Sequence, residues 1–185
     1  MIKKISSCLN QVSRGWVVVA ALAIFVLFSA LVLPGQAAKS ETDAGTPDLS
    51  LYYSPTKLYE MAEAYGENGR QAYIQARFTF DLAWPLVYTF FLSTAISWFT
   101  NKWFAPGSRW QRGNLAPLFG AVFDYLENLS TSLVMIRYPD RTPIIDILAP
   151  VFTLVKWVFV AGSFVLLLAA IGVGAWRLLK TRIGK

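Results

Sequence analysis

The chain has 185 residues, 55% hydrophobic and only 15% charged, with seven tryptophans and a formal net charge of +6. A soluble domain carries about 25% charged residues, so the composition argues against one. There is no histidine and only one cysteine, which excludes imidazole base chemistry, His-ligated zinc, an internal disulfide and four-cysteine iron–sulfur ligation.

The apolar residues gather into four blocks, each near the ~20 residues a helix needs to cross a bilayer. The first follows a basic tail with Lys3, Lys4 and Arg14. It runs from Val17 to Leu33, 17 residues without a charge. The Pro34–Ala38 stretch after it resembles a signal-peptide cleavage site, but the run exceeds the usual signal core of about 7–15 residues. The expectation is an uncleaved span over about 16–33. Cys8 lies in the basic tail and reads as a reduced bystander.

Residues 34–53 are rich in Gly, Pro, Ser, Thr and Asp and read as a linker. Ser54-Pro55 then opens a helix, with Ser54 as cap and Pro55 in the first turn. Leu58, Met61, Ala62 and Tyr65 form its apolar face, and Gly66 stops it. The spacing predicts a short amphipathic helix packed on the bundle, with a lid over a pocket as the second reading.

Arg70 to Phe80 is helix-compatible and is expected to run into a second span over about 81–99. Tyr73, Arg77, Asp81, Trp84 and Tyr88 recur at steps of three or four and share a face. Pro85 cannot donate a bond to the Asp81 carbonyl, so the helix begins or bends there.

The third span, about 115–136, carries Gly120, Asp124, Glu127, Asn128 and Thr131 along one stripe. A polar stripe on an apolar helix must face protein or trapped water. Asp124 and Glu127 do not both ionise easily at one turn's separation without a nearby cation. The fourth span, about 147–176, carries Thr153, Lys156 and Ser163 on one face, and Trp157 beside them. Gly162, Gly172 and Gly174 read as small-residue packing positions.

Ten basic residues and no acidic ones lie in the N-terminal tail, the loop with Lys102, Arg109 and Arg112, and the C-terminal tail. Basic residues resist translocation, so both termini are expected in the cytoplasm and the 34–80 loop outside. Split over three juxtamembrane pieces, the basic charge reads as contact with membrane lipids rather than nucleic acid. The expected fold is all-α: a polytopic integral membrane protein of one membrane domain, 1–185, with four transmembrane helices in a bundle and a short amphipathic helix in the first extracytoplasmic loop.

Arg77 and Asp81 are expected at the mouth of an outward-facing funnel, with Glu127 and Lys156 paired below and Asp124 deepest. Trp84, Tyr88, Tyr125 and Trp157 wall it, and Asn128 completes the ligand-binding set. Three buried carboxylates meet one lysine, or two cations with Arg77. The deficit calls for a proton, a bound lipid or cationic ligand, an oxygen-ligated cation, or a partner membrane subunit or second copy. No metal site and no cofactor are predicted.

Three functional readings follow. A structural or accessory membrane subunit ranks first. Binding of a hydrophobic or cationic ligand, or proton- or cation-coupled transport, ranks second. An intramembrane lipid-modifying enzyme ranks third, with Asp124 or Glu127 as general acid or base and Lys156 as electrostatic stabiliser.

Overall fold

The computed structural model describes residues 2–32 and 45–183. Among the described residues the chain is helical and contains no strand. Six α-helices follow one another: α1 Ile2–Val12, α2 Gly15–Leu31, α3 Pro55–Arg77, α4 Phe80–Trp103, α5 Ala116–Arg137 and α6 Ile145–Ile183. Short 3-10 segments at Pro47–Leu49 and Arg109–Leu115 punctuate the loops. The Pro34–Ala38 stretch and the first part of the expected linker lie outside the described residues.

Local chemistry explains the boundaries. The Ser54 hydroxyl accepts a 3.1 Å bond from the Lys57 N–H at the start of α3, satisfying one of the donors a helix N-terminus leaves free. Gly66 has φ 61° and breaks α3 in two, a conformation that costs most side chains energy. Leu58, Met61 and Ala62 are buried as their spacing predicts. Between α3 and α4 the chain leaves helical geometry at Phe78 and Thr79, so the expected unbroken run into the second span is interrupted.

α4 is the hub. It packs against α2, α5 and α6, while α5 and α6 form the most extensive helix pair. One core cluster joins Ala21, Tyr88, Phe91, Leu92, Ile96, Ala121 and Leu167 across four helices. A second, under α3, joins Tyr53, Leu58, Tyr59, Tyr73, Val134, Met135 and Ala149.

The surface is inverted relative to a water-soluble bundle. Val19, Ile24, Val26, Leu27, Leu86, Val122, Leu129, Val158, Val165 and Leu168 are exposed, whereas Ser93, Ser97, Asn114, Thr131, Ser132, Thr153 and Ser163 are buried. Large exposed apolar surface marks contact with lipid or protein. The stretches Pro55–Trp103 and Ile145–Ile183 are long and apolar enough to cross a membrane, and the bent pair α1–α2 makes a third candidate. α5 is too polar to qualify by composition, because it carries Asp124, Glu127, Asn128, Ser130, Thr131 and Ser132; all six are buried.

Two expectations change here. The basic N-terminal tail is a helix, α1, turned 95° from α2. Of the three glycines expected to pack, only Gly174 does so within the chain, where an added Cβ would overlap the Trp103 indole; Gly162 and Gly172 face open space.

Candidate functional site

Arg77 ends α3 and Asp81 begins α4, placing a cation and an anion at the helix ends that favour them. Arg77 Nε lies 2.8 Å from Asp81 Oδ2. The same guanidinium pairs with Asp48 and stacks 4.5 Å from the Tyr73 ring centroid. The Tyr73 hydroxyl in turn donates to Thr131 Oγ1 at 3.1 Å.

The second ion cluster joins α5 and α6. Lys156 Nζ lies 2.5 Å from Glu127 Oε2 and 4.0 Å from Asp124 Oδ1. Thr153 donates to Glu127 Oε1 at 2.7 Å, and the Tyr53 hydroxyl lies 3.1 Å from Thr153 Oγ1. Burial, with the charge of Glu127 beside it, pushes the Tyr53 phenol above its ordinary pKa. Tyr88 donates to Asp124 Oδ2 at 3.1 Å.

Between these clusters lies a cavity of about 250 Å³. Asp48, Arg77, Asp81, Asp124 and Lys156 face it, and Phe25, Phe80, Trp84, Tyr88, Trp157 and Phe164 supply its aromatic wall. Ligand pockets typically run about 300–1,000 Å³, so the space suits a small guest. Trp84 is held in a stack, 5.6 Å from Phe25 and 5.7 Å from Phe28. Asp81 and Asp124 are second partners of cations already engaged by Asp48 and Glu127. Four carboxylates thus share two cations.

A strap crosses one side of the cavity. Thr46, Asp48 and Leu49 line it. The strap is tied down by the Asp48–Arg77 pair and by Trp157, whose indole N–H donates to the Ser50 carbonyl at 3.1 Å. The α3 helix that read as a candidate lid contributes only Arg77 to the cavity lining; Leu58, Tyr59 and Ala62 of its first half pack with Val134, Met135 and Ala149 of α5 and α6.

The sequence-predicted residues divide as follows. Arg77, Asp81, Trp84, Tyr88, Asp124, Lys156 and Trp157 meet around one cavity. Glu127 does not reach it. It is fully buried behind Lys156. Asn128 is buried outside the lining, and its carboxamide has no hydrogen-bond partner among the described residues. Tyr125 turns away and donates to the Leu82 carbonyl at 2.8 Å. Sequence reasoning missed Asp48, which sits in an apparent linker, and Phe25, Phe80 and Phe164, apolar residues in largely apolar runs. Among the described residues no three acidic side chains converge as a metal ion would require.

No protein-family model, curated protein or solved structure matches this chain.

Proposed function

We propose that the chain is a four-span membrane protein with both termini in the cytoplasm, and that its cavity opens outward to bind a small apolar ligand carrying a positive charge. α2, α4, α5 and α6 are the spans. The polar side chains of α5 point inward, so its lipid face is Phe119, Val122, Leu129, Leu133 and Ile136, all exposed. That reconciles its composition with a place in the bilayer. Two of the three basic segments support the orientation: α1 and the Arg109–Leu115 segment pack together against α4, at its expected cytoplasmic end.

The observation that carries the ligand reading is the charge imbalance around an aromatic-walled cavity. Two cations stand against four carboxylates, and a guest cation halves the deficit. Aromatic faces add about 0.5–2 kcal/mol of cation–π attraction where water is excluded. The aromatic wall of the cavity suits an organic cation. A purely structural network has no need of open space between its members, so the cavity also favours binding over a scaffold role. The lipid-modifying reading gains no specific support.

The test uses the full chain in nanodiscs. Trp84 and Trp157 line the cavity, so their fluorescence reports occupancy. Benzyltrimethylammonium is titrated against its neutral isostere, neopentylbenzene. Saturable quenching by the cation, with at least tenfold weaker response to the isostere, is expected. No saturable response to either compound removes the binding reading.

A further inference from the structure

The N-terminal helix α1 is built inside out for a segment docked on a protein. Its polar side faces the bundle. Ser6 is 3% exposed and donates to Asn114 Oδ1 at 2.8 Å. The Asn114 amide donates back to the Ser6 carbonyl at 3.1 Å, and Asn101 of α4 donates to the Asn10 carbonyl at 3.1 Å. Ile2, Ile5, Leu9 and Val12 recur at i, i+3, i+7 and i+10, so they form one stripe. That stripe faces outward: Ile2, Ile5 and Val12 are 56%, 41% and 54% exposed.

A helix at 3.6 residues per turn places a third face opposite this stripe. It holds Lys4, Ser7 and Gln11, all exposed. α1 therefore has one side for the protein, one apolar side and one hydrophilic side. A helix lying in a membrane–water interface needs that arrangement. The 95° turn from α2 sets α1 parallel to the bilayer surface if α2 crosses it. Trp16 is 69% exposed, and Val19, Leu22 and Ile24 of α2 are exposed after it. No acidic residue precedes Glu41, so the basic charge of Lys3, Lys4 and Arg14 is unopposed along this stretch. Juxtamembrane Lys and Arg are drawn to an anionic leaflet.

We propose that α1 is an in-plane interfacial helix that seats its Ile2–Val12 stripe in the cytoplasmic leaflet and draws anionic phospholipid headgroups to Lys3 and Lys4. This rests on the membrane reading above, and the test separates the two. Cys8 is the only cysteine, so a Cys8→Ser background permits single nitroxide labels. Labels go at Ile5→Cys on the stripe, Ser7→Cys on the hydrophilic face and Leu27→Cys on the outer surface of α2. All three positions are exposed, so folding is spared. The full chain is placed in nanodiscs of phosphatidylcholine with or without phosphatidylglycerol, and oxygen and nickel-chelate accessibilities are measured.

The expected result is an Ile5 label richer in oxygen collisions, a Ser7 label richer in nickel-chelate collisions, and a Leu27 label in lipid. Phosphatidylglycerol deepens the Ile5 label, and Lys3→Gln with Lys4→Gln abolishes that deepening. A Leu27 label in water overturns the membrane reading itself. A Leu27 label in lipid with an Ile5 label in water, or shielded from both reagents as a partner protein would shield it, overturns the α1 proposal alone. No effect of phosphatidylglycerol overturns its anionic-lipid part.

Discussion

Glu127 and Lys156 lie 2.5 Å apart with both side chains buried, yet only Lys156 reaches the cavity. The pair is therefore a hinge between structure and ligand chemistry. Glu127 anchors Lys156 from behind, and Lys156 faces Asp124 across the longer 4.0 Å gap.

Removing one partner should cost much more than removing both. Lys156→Met leaves Glu127 buried without its cation, a loss of about 3–5 kcal/mol. Lys156→Met combined with Glu127→Leu should recover a substantial part of it. Unfolding of Lys156→Met, Glu127→Leu and the double variant in one detergent checks this; a double variant as unstable as the sum of the singles contradicts the coupling.

The ligand reading makes Asp124 and Asp81 counter-ions. Asp124→Asn keeps an acceptor for the Tyr88 hydroxyl, so the fold should survive. Affinity for benzyltrimethylammonium should fall at least tenfold, about 1.4 kcal/mol. Tyr88→Phe removes only a hydrogen bond to the carboxylate and should change affinity less. Titration by tryptophan fluorescence ranks the variants, and an unchanged Asp124→Asn affinity counts against the counter-ion role.

The Asp48–Arg77 pair ties the strap to the mouth of the cavity. Asp48→Asn should loosen it and raise both association and dissociation rates of the cation, with a smaller change in equilibrium affinity. Stopped-flow fluorescence reads the rates. Hydrogen exchange should rise over residues 46–50 and stay unchanged in α5. Unaltered rates would mean the strap does not gate access.

Two glycines of α6 should behave oppositely. Gly174→Ala drives a methyl into the Trp103 indole, and overpacking of this kind costs about 1–3 kcal/mol. Gly162→Ala meets open space and should be neutral or slightly stabilising, since Ala is the better helix former. Thermal unfolding of the two variants decides it.

Topology is tested with native and added thiols. Cys8 is exposed on α1, and Glu63 is exposed on α3. A membrane-impermeant maleimide added to intact cells should leave Cys8 unlabelled. It should label Glu63→Cys in a Cys8→Ser background. The reverse pattern inverts the proposed orientation.

Much of this molecule was legible along the chain because helix formation and burial of a face are local properties. The helical class, the Ser54 cap, the Gly66 break, the inward stripe of α5 and the one-face spacing of Arg77, Asp81, Trp84 and Tyr88 all follow from residues within a few turns of each other. Charge and apolar length pick out two to three candidate spans in the same way, fewer than the four expected. Other features depend on segments far apart in sequence. Asp48 reaches Arg77 only because the strap folds back over α3 and α6. Phe25 and Phe28 clamp Trp84 only because α2 packs on α4. Asn114 and Ser6 join across 108 positions, which turns a basic tail into a docked helix with its apolar side outward. Periodicity tells which side of a helix is polar. Only complementary packing between helices decides what that side meets, and so only the tertiary structure put the charges around a cavity while sealing Glu127 behind it.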